Sequence, residues 1–252
     1  MTATLKAHQP GYSLSSRAVQ FKGFALQILL FDIDGTLLNS GGAGQRAMER
    51  ALETQYGITK PTEGISTAGR TDRAITVDML NFHGVGDQID ATWKNFLAAY
   101  IQELPHTMSE CDGIVLPGVP DLLEKLASLD DVELGLLTGN FREGARCKLE
   151  HFDLWKYFDF GGYGDIHPDR DDVARDALAV VHERFGSEIH PNQVWVIGDT
   201  AADVKCGRAI EANVIGVGTG NVPRQSLIDA KPDWFFEDFS ELDAFLELVS
   251  RS

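Results

Sequence analysis

Short apolar runs alternate along the chain with stretches of helical periodicity. Leu26 to Phe31, Val132 to Leu137 and Val194 to Ile197 read as buried strands, because apolar residues dominate both parities of each run. Val214 to Val217 and Trp234 to Phe236 are shorter strand candidates. Pro120 suits a first helical turn and is followed by Leu122, Leu123, Leu126 and Leu129 on one face. Val173, Ala177, Val180 and Val181 mark a second helix ending near Gly186, and Ser240-x-x-Asp243 resembles a capping box before a last helix through Phe245 and Leu248. The alternation predicts an α/β fold, a doubly wound, Rossmann-like parallel sheet covered by helices.

One interval breaks the pattern. From about Gly41 to Gly113 the sequence is helical in period, with no convincing strand. Met48, Leu52 and Tyr56 share a face, as do Ile75, Met79 and Phe82, and the stripe Trp93, Phe96, Leu97, Tyr100, Ile101, Leu104 reads as core packing. Residues 41–113 are therefore expected to form an all-helical cap inserted into a core made of 25–40 and 114–252. Residues 1–24 form an N-terminal extension with no assignable role.

Composition narrows the function. The chain has 252 residues, 43% of them hydrophobic, and 38 acidic against 22 basic side chains give a net charge of −16. Such a surface disfavours nucleic acid and anionic membranes as partners, while a metal ion and a few local donors can still admit an anionic substrate. No run reaches the roughly 20 apolar residues of a membrane span, and no secretory signal is evident. Cys111, Cys147 and Cys206 are too few and too scattered for a disulfide framework, which fits a cytoplasmic location.

The candidate chemistry sits where the strands end. Phe31-Asp32-Ile33-Asp34-Gly35-Thr36 places two carboxylates directly after a buried strand, an uncommon position for charge without a partner. Thr138-Gly139-Asn140, Arg170 and Gly198-Asp199-Thr200-x-x-Asp203 follow later segments in matching places, at the strand ends where open α/β sheets bind ligands. Phosphoryl transfer through an aspartyl phosphate fits this set. Asp32 and Asp199, with a main-chain carbonyl near Asp34, supply the hard oxygens that suit Mg²⁺. Thr138 and Arg170 are candidates to hold the transferring oxygens, and Asp34 can protonate the leaving group and then activate water.

These motifs resemble those of the haloacid dehalogenase superfamily, specifically its phosphoglycolate-phosphatase-like branch with a helical cap of the C1 type. The match runs from Leu26 to about Phe239. D-x-D-G-T corresponds to Asp32 to Thr36, the second motif to Thr138-Gly139, and G-D-T-x-x-D to Gly198 to Asp203. The resemblance implies Asp32 as nucleophile, Asp34 as acid/base, and Thr138 as phosphate ligand, with Thr36, Gly139 and Asn140 around the substrate. It places the metal among Asp32, Asp34, Asp199 and Asp203, and implies a small phosphorylated metabolite as substrate.

The third motif departs from the family pattern. Where relatives carry Lys-Pro, this chain reads His167-Pro168-Asp169-Arg170-Asp171-Asp172. Arg170 takes the lysine's register if the following helix aligns without gaps, and Arg175 is its competitor. Arg70, in Gly69-Arg70-Thr71-Asp72, could clamp a distal anionic group, or be a solvated arginine at a helix start. Gly41 to Gly44 reads as the hinge into the cap, and Gly216 to Gly220 as a turn. A dehalogenase or a phosphomutase of the same fold is the nearest rival reading; a phospho-receiver or binding module is the non-enzymatic one. Asp34 and Asp199 favour the phosphatase over the dehalogenase. Oligomeric state is not legible.

Overall fold

A computed structural model of the protein describes residues 25–86 and 89–250, so the extension expected at 1–24 lies outside the described residues. Six parallel strands form the central sheet in the order β5-β4-β1-β6-β7-β8. They are β1 (Gln27–Phe31), β4 (Val132–Leu137), β5 (Gly161–Gly162), β6 (Val194–Gly198), β7 (Asn213–Val217) and β8 (Trp234–Phe236). β1 pairs with β4 on one side and β6 on the other, with Phe31 opposite both Leu136 and Ile197. After β1 the chain builds β4 and β5 on one side and then crosses back to β6, β7 and β8 on the other, and this reversal of strand order creates a crevice at the carboxyl ends of β1, β4 and β6.

Side-chain parity explains why the strands read as unbroken apolar runs. Leu29, Phe31, Leu134, Leu136, Trp195 and Ile197 pack on one face beneath α4 (Val119–Leu126), α5 (Arg142–His151) and α9 (Leu242–Ser250). Ile28, Leu30, Val194 and Val196 pack on the other, beneath α6 (Arg170–Phe185) and α7 (Ala201–Ala209). α8 (Arg224–Asp229) covers the β7 side through Leu227. Pro120 does lie in the first turn of α4, and Gly186 ends α6. The last helix starts at Leu242, later than the capping pattern suggested; the Ser240 N–H instead donates to Asp238 within the turn.

Between β1 and β4 the chain makes a short antiparallel ribbon, β2 (Leu38–Asn39) with β3 (Ile114–Val115), which the sequence pattern did not signal. Three helices hang from this ribbon: α1 (Ala43–Tyr56), α2 (Asp72–Phe82) and α3 (Ile89–Glu110). They share a core of Met48, Leu52, Ile75, Met79, Phe96, Tyr100 and Leu104. The aromatic stripe on α3 is therefore packing. Phe141, just past the end of β4, enters that core, with its ring edge-on to both Trp93 and Tyr100 at 5.6 Å. The side chain that follows Asn140 thus anchors the helical insertion over the carboxyl edge of the sheet. Gly41 and Gly42 enter α1 at φ +63° and +86°, where a Cβ would be strained.

Candidate active site

Asp32 is the first residue beyond β1, and its N–H donates to the Ile197 carbonyl at 2.9 Å, which continues the sheet by one rung. Its carboxylate is buried. Asp199 occupies the matching position beyond β6, and Asp203 lies one turn into α7. Carboxylate oxygens of Asp32, Asp199 and Asp203 lie within 4.8 Å of one another. Asp203 is tied down locally. One of its oxygens accepts the N–H and hydroxyl of Thr200, which caps α7, and the other accepts from Arg170.

Arg170 starts α6, after the N-cap Asp169, and its guanidinium is buried between Asp203 and Asp32, 3.4 Å from the latter's Oδ1. Arg175 points elsewhere, pairing with Asp172 at the surface. The register argument therefore selects the arginine that reaches the cluster. Three buried carboxylates against one buried guanidinium leave excess negative charge, and the acids respond. Burial pushes the Asp32 carboxyl up to about 6; Arg170 opposes the rise, and Asp203 and Asp34 add to it. Burial, then the charges of Asp203 and Asp32, push Asp199 up to about 8. A divalent cation answers that imbalance, and the all-oxygen donor set suits a hard one.

Asp34 differs from its neighbour. Its side chain is 38% exposed and touches the cavity. Burial alone would raise its carboxyl, but Lys148 and hydrogen bonds from Lys148, Asn140 and Ser40 hold it below the usual value. Lys148 Nζ lies 2.6 Å from Asp34 Oδ2, and the Asn140 amide donates to the same oxygen at 2.8 Å. Two acids two residues apart are thus driven in opposite directions in the metal-free site, Asp32 toward the neutral acid and Asp34 toward the carboxylate.

The cavity over these groups has a volume of about 240 Å³ and is walled by the sheet edge below and the helical insertion above. Asn140, Gly139 and Arg70 line it; Thr138, Thr36 and Asp203 do not. Thr138 is wholly buried, with its hydroxyl oxygen accepting from the Asn140 amide at 2.9 Å. Thr36 donates its hydroxyl to Asp199 Oδ1 at 3.2 Å, so it steadies a carboxylate from behind. Arg70 pairs with Asp78 at 2.7 Å and also donates to the Ser66 carbonyl, so clamping a substrate would require it to exchange Asp78.

Around Arg70, the insertion grips the sheet. The Asp72 N–H donates to the Gly139 carbonyl at 2.7 Å, Asp72 Oδ2 accepts the Phe141 N–H at 3.0 Å, and the Thr71 hydroxyl donates to the Pro168 carbonyl. Gly139 permits this approach: a Cβ there would lie 2.1 Å from the Arg70 carbonyl oxygen.

No sequence motif marks Lys148 for the site, and Asp72, a capping candidate in the Gly69-Arg70-Thr71-Asp72 run, instead follows the N-cap Thr71 and holds the Phe141 N–H. Lys148 had one readable signal, a charged residue on the same face of α5 as buried Ala145 and Leu149. The turn at Gly216 to Gly220 also reaches the site: Thr219 donates to the Gly35 carbonyl at 2.6 Å and Gly220 packs on Asp199. A Cβ on Gly220 would fall 1.8 Å from Asp199 Oδ2. Gly220→Ala is therefore expected to displace that carboxylate and lower activity by about 10- to 100-fold. Full activity would show that Asp199's position is unimportant.

A central parallel strand ending in paired aspartates, with acids and an arginine converging from neighbouring elements, marks the candidate centre of an α/β enzyme. Residues 29–217 match the family described as Haloacid dehalogenase-like hydrolase, and the chain belongs to that family. It is 28% identical over 222 residues to a phosphoglycolate phosphatase of Synechococcus elongatus, covering 86% of this chain and 95% of that one. A phosphoglycolate phosphatase of Escherichia coli is 25% identical over 237 residues, covering 84% and 89%. Among solved structures, a predicted phosphatase from Clostridium acetobutylicum superposes with a TM-score of 0.66 at 21% identity, covering 88% of this chain and 99% of that one.

Proposed function

We propose that the protein is a Mg²⁺-dependent phosphatase that hydrolyses a small phosphate monoester through an aspartyl phosphate on Asp32. The observation that carries this reading is the pairing of buried Asp32 with Arg170 and Asp199 beside an Asp34 held in a separate hydrogen-bond network. As a phosphoric monoester hydrolase, the chain resembles relatives whose substrate is phosphoglycolate. A cavity of about 240 Å³ is on the scale of a small metabolite. Residues 41–113 act as the cap above it, with 25–40 and 114–252 as the catalytic core. The three cysteines are free thiols, in keeping with a reducing cytoplasm.

Asp32 attacks the phosphorus, and the bond to the leaving oxygen breaks as Asp34 delivers a proton to it. Arg170 offers its fork of donors to the equatorial oxygens; Thr138, closed off from the cavity, acts only through the Asn140 amide that its hydroxyl holds. Asp34 then takes a proton from water as that water attacks the phosphorus and frees the Asp32 carboxylate. Asp32 and Asp199, with the carbonyl of Asp34, would hold Mg²⁺, while Asp203 completes the anionic field. Bound there, the ion supplies charge neutralisation between the nucleophile and the phosphate dianion.

Phosphate release from an aryl phosphate is expected to stop on chelation and return with Mg²⁺. Turnover of haloacids that ignores chelation would hand the site to the dehalogenase reading.

Stability provides a second check. Because Asp32 and Asp199 have raised values, about 6 and about 8, they favour the folded state when protonated. That contribution is complete below the ordinary carboxylate range and is lost as pH rises through 6 and 8. Asp34 works the other way, but only below the ordinary carboxylate range, outside this window. The metal-free protein should therefore lose Tm between about pH 5 and about pH 8. A fixed Mg²⁺ concentration, about 100 times its Kd at the upper pH, should restore about 5–10 °C there and much less at the lower pH. Equal Mg²⁺ effects at both pH values would contradict a carboxylate site.

A further inference from the structure

We propose that Lys148 is a positioning residue for Asp34, deciding which of its two oxygens serves the proton transfer. This rests on the acid/base role given to Asp34 above. Lys148 comes from α5, and its side chain is only 5% exposed. Its Nζ lies 2.6 Å from Asp34 Oδ2 and 2.6 Å from Asn140 Oδ1, the side-chain amide oxygen. The Asn140 amide nitrogen closes the triangle, donating to the same Oδ2 at 2.8 Å. Oδ2 therefore faces two groups that can only donate, an ammonium and an amide N–H. Among the described residues the other oxygen, Oδ1, accepts one hydrogen bond, from the Ser40 hydroxyl at 3.2 Å, and a hydroxyl can turn to accept. Oδ1 is thus the oxygen left to carry a proton to the leaving group and to take one from water.

The surroundings of the ammonium show how it is kept in place. A Cβ built on Gly44, at the start of α1, would lie 3.4 Å from Nζ, so the helical insertion closes directly over it. The Tyr100 phenol from α3 lies beside the same spot, wholly buried, and among the described residues its oxygen has no hydrogen-bond partner. The ammonium sits where the sheet edge, the turn after β4 and the insertion meet. Removing it should free Asp34 to rotate without touching Asp32, Arg170 or Asp199.

The test compares leaving groups. Nitrophenolate departs without a proton, whereas the alkoxide of phosphoglycolate does not, and kcat/KM reports the step in which the leaving group departs. Lys148→Met is expected to lower kcat/KM about 100-fold on phosphoglycolate and less than about 5-fold on p-nitrophenyl phosphate. In an Asp34→Asn background it should cost little more, because both changes remove one function. Equal losses on the two esters, no loss on either, or losses that multiply in the double variant would each overturn the proposal. Should Lys148→Met fail to fold, Lys148→Gln carries the same expectation and the same overturning results. Asp32→Asn run alongside separates the two levels. If it stays active, the reaction assigned to the site is wrong; if it is dead while Lys148→Met shows no leaving-group preference, only the role of Lys148 falls.

Discussion

Asp32→Asn is expected to lower kcat/KM by about 10⁴-fold or more while leaving the fold intact. The amide matches the carboxylate in shape but cannot attack phosphorus. The loss should not depend on the leaving group, because every ester needs the nucleophile. Stability should move in the opposite direction from activity. Asp32 sits in a buried cluster with Asp199 and Asp203, and burial together with those charges pushes both Asp32 and Asp199 upward. Neutralising one member relieves repulsion, and Arg170 keeps Asp203 as its partner. The metal-free variant should therefore melt no lower than the parent at about pH 8. Calorimetry with and without Mg²⁺ checks this, and a large fall in Tm would show that Asp32 is mainly a structural counter-ion.

Asp34→Asn should behave differently on both counts. On an alkyl phosphate the loss is expected to be about 10²- to 10⁴-fold, the range of general acid–base catalysis. On an aryl phosphate it should shrink sharply in kcat/KM. The variant should also be less stable, because Lys148 is left buried beside an amide instead of a carboxylate. Asp34 is partly open to solvent, so the cost falls between that of an exposed and a buried ion pair, about 1–3 kcal/mol. Paired measurements of rate and Tm on the two variants separate a nucleophile under electrostatic strain from an acid/base held by a lysine. If both lost activity equally on all esters and both destabilised the fold, that distinction would collapse.

The sheet was legible because its strands are apolar at both parities, which follows from helices covering both faces. The helical insertion was legible from period alone, since α1, α2 and α3 each bury one stripe. The ribbon of β2 and β3 was not: two residues per strand carry no periodicity. The carboxylates announced themselves by following buried strands. Lys148 and Gly220 did not, because each acts across a long sequence separation, Lys148 on Asp34 and Gly220 on Asp199. No spacing rule links such pairs; only the folding of α5 and the loop after β7 against the ends of β1 and β6 brings them together. Arg170 lay between these cases. Helix register proposed it, and the cluster it enters separates it from Arg175.

The most direct measurement is to catch the phosphorylated enzyme. Rapid acid quench during turnover of a phosphate ester, followed by borohydride reduction and peptide mass analysis, converts an aspartyl phosphate to homoserine at the residue that carried it. The expected result is homoserine at position 32, dependent on substrate and Mg²⁺ and absent from Asp32→Asn. Label at any other residue, or no label under conditions where the quenched enzyme is turning over, would contradict Asp32 as the nucleophile.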